Sequence, residues 1–325
     1  MINVGSGSKP IGYSGMEGRT GVAVVGSINV DLAAFGSPLP RPGETVIGTD
    51  FSLMLGGKGA NQAVAAARAG APTYMIGAVG DDLLRDVALD ALDREGVDIT
   101  AVRVAEGATG IAHIRVEALS GQNSILIIPN ANHRLSPDDA EASLLALSDR
   151  VSVVLVQLEI PRPVVQRVAA VCRARELRLV LDPAPAQLMP RAVWRGVSLV
   201  TPNELEAEVF TGIAVTSHHS AVRAARWFLD RGVTVAVITR GEHGLLVMGR
   251  EGAQEYPALA VTPVDTTAAG DAFAGALGAS LASGAPLPDA LRRGLAAGAL
   301  AVTVRGASQS LPTAAAIDAF LAAKL

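Results

Sequence analysis

The 325-residue chain has one cysteine, Cys172. An internal disulfide is therefore impossible, and a reducing, cytoplasmic compartment is the expectation. Aromatic residues make up 3%, and Lys+Arg at 27 against Asp+Glu at 31 leaves a formal net charge of −4. That composition supplies neither the basic excess nor the stacking platform that nucleic acid requires. Charged residues are scarce at 18% while hydrophobic ones reach 50%, which excludes a chain disordered over most of its length. No run approaches the ~18 uninterrupted apolar residues of a membrane-spanning helix. Residues 1–20 are Gly/Ser-rich without an apolar h-region, so they do not read as a signal peptide. Residues 1–21 are expected to form a flexible extension. The five histidines lack zinc-ligand spacing and the serines lack a G-x-S-x-G context. Cys172 falls in a helical stretch and reads as a packing residue.

What is present is a regular alternation. Short, β-branched, nearly uncharged runs at 22–26, 73–79, 152–157, 177–182, 198–201 and 234–239 read as strands buried on both faces. Helical stretches lie between and after them, at 60–69, 82–95, 137–148, 163–176, 204–210, 221–231, 270–283 and 288–304. This pattern predicts an α/β fold with a mostly parallel sheet. Segments 31–54 and 101–129 break the rhythm and read as antiparallel strands of a small flap. Polar residues gather just after the predicted strands, among them Asn29, Asp31, Asp81, Glu159, Asp182, Asn203, Glu206 and Thr239. Ligands of open α/β sheets bind at those carboxyl ends.

Four segments are rich in candidate chemistry. In VDTTAAGDAFAG (264–275), Asp265, Thr266 and Thr267 are N-cap types and Ala268, Ala269 and Gly270 leave the backbone approachable. A helix start of this kind can hold an anion, with Asp271 placed to take a proton from an attacking hydroxyl. A capped, tightly packed helix fits the same residues. In LGGKGANQA (55–63), Gly56, Gly57 and Gly59 surround Lys58 ahead of Asn61. This is neither a phosphate loop of the G-x-x-x-x-G-K-[ST] type nor a dinucleotide fingerprint, which would need Gly or Ala where Gln62 stands. It reads as a cradle for a hydroxyl-rich ligand or as a plain turn into a helix. Asn29 and Asp31 lie on one side of an extended segment, suited to vicinal hydroxyls or to a turn. In TPNELE (201–206), Asn203 and Glu206 share a helix face, where they could hold waters around Mg²⁺ or form a capping box.

Taken in order, VVGSINVD (24–31), GGKGANQAVAAARAG (56–70), VGDD (79–82), QLEIP (157–161), DPAP (182–185), TPNELEAE (201–208), TRGEHG (239–244), DTTAAGD (265–271) and VRGASQSLP (304–312) resemble the ribokinase-like (PfkB) family of sugar kinases over residues 22–325. The resemblance implies a three-layer α/β/α domain with a small β lid at about 32–54 and 101–129. It implies ATP-dependent phosphorylation of D-ribose to D-ribose 5-phosphate, or of 2-deoxyribose, a nucleoside or another sugar. A non-catalytic sugar or nucleotide sensor is the reading from a different class. By position, Asp271 matches the family's base and Ala268, Ala269 and Gly270 its anion hole. Asn29, Asp31, Gly57, Lys58, Gly59, Asn61 and Glu159 match sugar-binding positions. Asn203, Glu206, Thr239, Arg240, Gly241, Gly244, Gly270 and Leu295 match the ATP site, with Asn203 and Glu206 in the Mg²⁺ region. Asp265, Thr267, Ala301, Val304, Gly306 and Ser310 match a K⁺ site. A homodimer through the lid is implied, with no nucleic-acid or membrane partner. His113 and Arg115 depart from the family's apolar lid residues.

Overall fold

The computed structural model describes residues 18–117 and 122–324. Residues 1–17 of the expected extension, and residues 118–121 of the expected flap segment, including the turn that Ser120–Gly121 signals in sequence, lie outside them. The elements in order are β1 (Gly21–Val25), β2 (Asn29–Gly36), β3 (Asp50–Gly56), α1 (Lys58–Arg68), β4 (Thr73–Gly80), α2 (Leu83–Arg94), β5 (Val97–Asp98), β6 (Val102–Ala105), β7 (Gly110–Glu117), β8 (Asn123–Ile128), α3 (Pro137–Leu147), β9 (Val151–Val156), α4 (Arg162–Ala174), β10 (Arg178–Leu181), α5 (Arg191–Trp194), β11 (Leu199–Val200), α6 (Glu204–Thr211), α7 (His218–Leu229), β12 (Val235–Thr239), β13 (Leu245–Gly249), β14 (Gly252–Tyr256), α8 (Ala269–Ala282), α9 (Leu287–Ala301) and α10 (Ala314–Ala322).

The main sheet has the order β14-β13-β12-β11-β10-β9-β1-β4-β5, with β6 also paired to β4. Strands β12 through β5 run parallel, and β13 and β14 close one edge as an antiparallel hairpin. Every residue of β1 and β9 is buried, as central strands covered on both faces must be. Side chains then alternate between two cores. Val154 and Val156 pack with α3, α4 and α7 residues such as Leu144, Val168 and Phe228. Val153 and Leu155 pack with α1, α8 and α9 residues such as Val64, Leu277 and Ala297. Four of the eleven aromatic side chains, Trp194, Phe210, Trp227 and Phe228, meet edge-to-face in the first core.

The chain leaves β1 toward β4 on one side and later fills β9 on the other. The strand order reverses between β1 and β9, which is where an open α/β sheet leaves a crevice. A second sheet, β3-β2-β7-β8, stands beside that crevice. Its outer pairs are antiparallel, and its central pair β2–β7 runs parallel with Asp31 opposite Ala112. Residues 102–105, expected in the flap, instead extend the main sheet beside β4. Phe51, Leu53, Ile125, Leu126 and Ile127 on the small sheet are exposed, as are His113 and Arg115.

Candidate active site

The turn Gly26–Ile28 between β1 and β2 is the floor of the site. The start of α1 presses against it so closely that a Cβ on Gly59 would lie 2.5 Å from Ser27 N, and one on Gly56 would lie 2.0 Å from Asp31 Oδ1. These glycines therefore exist for close approach. Ser27 Oγ donates to Glu159 Oε2 at 2.5 Å, and the Lys58 N–H donates to the same oxygen at 2.9 Å. Glu159, just past β9, is thus tied to the loop carrying Lys58. Asn132 is buried and holds Asn29 in place. Its Nδ2 donates to Asn29 Oδ1 at 2.7 Å and to Ile28 O at 3.1 Å, while its Oδ1 accepts the Ile28 N–H at 2.8 Å. Asn29 Oδ1 is thereby engaged. A cavity of about 590 Å³ opens here, bounded by Ser27, Asn29, Ile127, Asn132, Glu159 and Arg162 among others.

Asp271 lies in the first turn of α8 with 3% of its surface exposed. Its Oδ2 accepts from Asn61 Nδ2 at 3.0 Å and its Oδ1 from Gln62 Nε2 at 3.1 Å. The same Gln62 nitrogen donates to Asp182 Oδ2 at 2.8 Å, and Gln157 Nε2 donates to Gln62 Oε1. The electrostatics follow from this crowding. Burial pushes the Asp271 carboxyl up, while Lys58 and the Asn61 and Gln62 hydrogen bonds oppose it. Asp271, foremost, holds the Lys58 ammonium above its ordinary range against the effect of burial. Burial, then Glu159 and Asp271, push Asp31 up to about 7. Asp182 is pushed up to about 8 by burial, with Lys58 opposing and Asp271 and Glu206 adding. Glu206 is also raised by burial.

The start of α8 differs from its expected capping. The N-cap is Ala268, in the left-handed region at φ +60°, with no side-chain cap. Asp265 Oδ1 instead accepts from Thr267 N at 3.0 Å and Thr267 Oγ1 at 2.7 Å, while Oδ2 accepts the Gly306 N–H at 3.0 Å. Partial burial pushes Asp265 up, but those hydrogen bonds outweigh it and hold the carboxyl below its ordinary value. A Cβ on Gly270 would meet nothing within 4 Å, so the uncapped helix start faces open space. The N–H groups of Val264 and Asp265 both donate to Val302 O, at 2.7 and 3.1 Å. These bonds join the Asp265–Thr267 segment to the loop after α9, which carries Ala301, Val304, Gly306 and Ser310 at or beside it. Arg68 ties that loop to α1, donating to Ser308 O at 3.0 Å and Leu311 O at 2.6 Å while pairing with Glu95.

Asn203 and Glu206 form a reciprocal capping box at the start of α6. Asn203 also bridges to Thr239, whose N–H donates to Pro202 O at 2.9 Å. The Arg240 guanidinium turns to Glu255 on β14 at 2.8 Å, where His218 also bonds. Gly241 and Gly244 flank a short 3₁₀ turn, and Leu295 is half-buried midway along α9. The structure thus gathers Asn29, Asp31, Lys58, Asn61, Glu159 and Asp271 into one electrostatically coupled cluster, and the Asp265 and Gly306 loops into a second group. Four residues in this cluster, Ser27, Gln62, Asn132 and Gln157, were not singled out as site residues from sequence, and Asp182 was placed only among the polar residues at the strand ends. The signal lay in Gln62 and Gln157, polar residues that interrupt apolar runs. Among the described residues, no group of three or more His, Cys, Asp or Glu could hold a metal ion, and no helix is long and apolar enough to cross a membrane.

Comparison with known proteins points the same way. A ribokinase of Haemophilus influenzae is 39% identical over 299 residues, covering 91% of this chain and 96% of its own. A deoxyribokinase of Salmonella typhi is 35% identical over 294 residues, covering 90% and 95%. The structure of an Arabidopsis thaliana ribokinase complexed with ribose and ATP superposes with a TM-score of 0.86 at 30% identity, covering 93% of this chain and 99% of that one. Residues 19–314 match the pfkB family carbohydrate kinase profile. By that match and those relatives, the chain belongs to the pfkB family of carbohydrate kinases, phosphotransferases that act on an alcohol group of a sugar.

Proposed function

We propose that this enzyme transfers the γ-phosphoryl group of ATP to the 5-hydroxyl of D-ribose, with Asp271 as general base. One observation carries the reading: a buried carboxylate, gripped on both oxygens and faced by Lys58, sits in the first turn of an uncapped helix. The chemistry balances in one displacement. The hydroxyl proton passes to Asp271, the sugar oxygen bonds to phosphorus, and the bond from phosphorus to the ADP oxygen breaks. Such a transfer needs alignment and charge stabilisation more than covalent help. The amides at Ala268–Gly270 would supply oriented positive potential. Asn29, Asp31, Lys58, Asn61 and Glu159 would bind the sugar, Asn29 turning its amide N–H outward because Asn132 occupies its oxygen. Thr239, Arg240, Gly241, Gly244 and Leu295 would line the nucleotide, although Arg240 is already bonded to Glu255.

Both cations are tested by the donor chemistry. Three carboxyls, buried Asp182 and Asp271 and half-buried Glu206, crowd around the single Lys58 ammonium and are all raised by burial; a divalent cation would favour their charged forms. Mg²⁺ keeps most of its waters, so Asn203 and Glu206 would reach it through them, and it would offset phosphate charge. The Asp265, Thr267, Ala301, Val304, Gly306 and Ser310 set offers hard oxygen donors on two joined loops, which suit K⁺. Its charge would add to the potential at the helix start. The small sheet would cover the sugar and exclude water, and its exposed apolar side chains support a homodimer through it.

The relative that phosphorylates deoxyribose supports 2-deoxyribose as a second acceptor. The test is Mg-ATP consumption with ribose, 2-deoxyribose, fructose and adenosine, each in K⁺ and in Na⁺ alone. Preference for ribose, raised by K⁺ and lost in Asp271→Asn, is the expected result. Preference for another acceptor moves the substrate and keeps the mechanism. Tight sugar binding without turnover indicates a sensor.

A further inference from the structure

We propose that Gln62, itself held by Gln157, is the positioning residue that aims the Asp271 carboxylate and keeps it ionised. It does so by sharing one side-chain NH₂ between Asp271 and Asp182. The proposal rests on the reading of Asp271 as the base.

Gln62 is wholly buried among Ala60, Ala63, Val64 and Ala66 of α1. A polar side chain in such a place destabilises unless each of its groups is bonded. Here each one is. The two hydrogens of Nε2 point to Asp182 Oδ2 at 2.8 Å and Asp271 Oδ1 at 3.1 Å. Oε1 accepts from Gln157 Nε2, and Gln157 is also wholly buried. Gln62 therefore has nothing left to offer a substrate, and its bonds all serve other side chains. The two carboxyls set the amide's orientation, and Gln157 meets the oxygen left on the other side. With the opposite orientation, Gln62 Oε1 would face two carboxyls and its NH₂ would face a donor.

Together with Asn61 on Oδ2, Gln62 holds both oxygens of Asp271 from consecutive residues of one helix. The carboxylate plane is thereby fixed relative to Lys58, which opens the same helix. Donors to a carboxylate favour its charged form. Every charged group facing Asp271 enters the balance: Lys58 on α1 supports ionisation, while Asp31 on β2, Glu159 after β9, Asp182 after β10 and Glu206 on α6 oppose it. Among the described residues, Gln62 is a neutral group that hydrogen-bonds two of these carboxyls. Its shared donor holds Asp182, which keeps its own proton to about pH 8, beside the base.

The test is the pH profile of kcat/KM for ribose in wild type, Gln62→Met, Gln157→Met and Asp182→Asn. Methionine matches glutamine in length and lacks the donors. Gln62→Met should lower kcat tenfold to a hundredfold with ribose KM within about threefold, and move the acidic limb up by about one pH unit. Gln157→Met should move the limb in the same direction by less. Asp182→Asn replaces a carboxyl that keeps its proton to about pH 8 with a neutral amide, and should leave the limb in place. A limb that rises in Gln62→Met and stays put in Asp182→Asn is beyond a merely structural role, which would lower the melting temperature and leave the limb in place. Unmoved limbs in Gln62→Met and Gln157→Met overturn the proposal, and Gln157→Met decides it if Gln62→Met does not fold. An acidic limb in wild type that persists in an active Asp271→Asn overturns the base reading itself, which separates the two failures.

Discussion

Asn132 makes three hydrogen bonds to Ile28 and Asn29, and replacing it should separate stability from sugar binding. In Asn132→Ala the Ile28 N–H, the Ile28 carbonyl and Asn29 Oδ1 all lose a partner. Each orphaned buried group costs about 1–3 kcal/mol. The three lie together beside a cavity that admits water, so they do not add in full, and a total of about 3–5 kcal/mol is expected. For a chain of 325 residues that is a fall of about 4–7 °C in melting temperature. Asn29 also loses its orientation, and with it one hydrogen bond to the sugar, about tenfold in KM for ribose. Asn132→Asp discriminates further. Its carboxylate accepts but cannot donate, so Asn29 should turn over, giving its NH₂ to the carboxylate and presenting Oδ1 to the sugar. KM should then rise beyond the alanine value, because the site now offers two acceptors, Asn29 and Asp31, where it had a donor and an acceptor. Calorimetry and initial-rate kinetics on both variants suffice. Wild-type KM in Asn132→Asp, with a melting point lowered as expected, would refute the claim that Asn132 sets the polarity of Asn29.

Three other outcomes are expected. Asp31 and Asp182, raised to about 7 and 8 from 3.8, bind protons more tightly folded than unfolded. Their contribution is present below pH ~4 and lost as pH rises through 7–8, with a slope of up to about 1.4 kcal/mol per pH unit for each carboxyl. Chemical denaturation of the ligand-free protein from pH 4 to 8 checks this, and no decline across the window contradicts it. Gly59→Ala drives a methyl against Ser27 backbone atoms; with overpacking worth about 1–3 kcal/mol and Lys58 and Asn61 displaced, kcat/KM should fall roughly a hundredfold, whereas Gly249→Ala, with only ordinary contacts, should leave it unchanged. Arg68→Met releases Ser308 and Leu311 from α1 and orphans Glu95, so the concentration of K⁺ giving half activation should rise, as read from rate against K⁺ at constant ionic strength.

The central strands were legible because burial on both faces leaves an uninterrupted apolar run, as in Val151–Val156. The edges were less so. The hairpin β13–β14 went unread because Gly252–Glu255 is exposed and carries polar side chains. Residues 102–105 alternate like a flap strand, and nothing local states that β4 is their partner. At the site, Asp271, Lys58 and Asn61 stood out through small neighbours and helix-start positions. Gln62 stood out only as the residue that spoiled a dinucleotide fingerprint. Its importance comes from Asp182 and Gln157, which are 120 and 95 residues away in sequence, and contact over such separations leaves no periodic trace. The capping expected from Asp265 and Thr267 failed for a related reason. Their side chains are spent on each other and on Gly306.

The aromatic cluster has a spectroscopic consequence. Both tryptophans, Trp194 and Trp227, lie within it and meet at a ring separation of 5.9 Å. Native emission therefore reports the packing of α5 and α7, and the small sheet is optically silent. A tryptophan introduced at exposed Leu126 would give that sheet a signal of its own, and its spectral response to ribose would time the covering of the sugar separately from the unfolding of the domain.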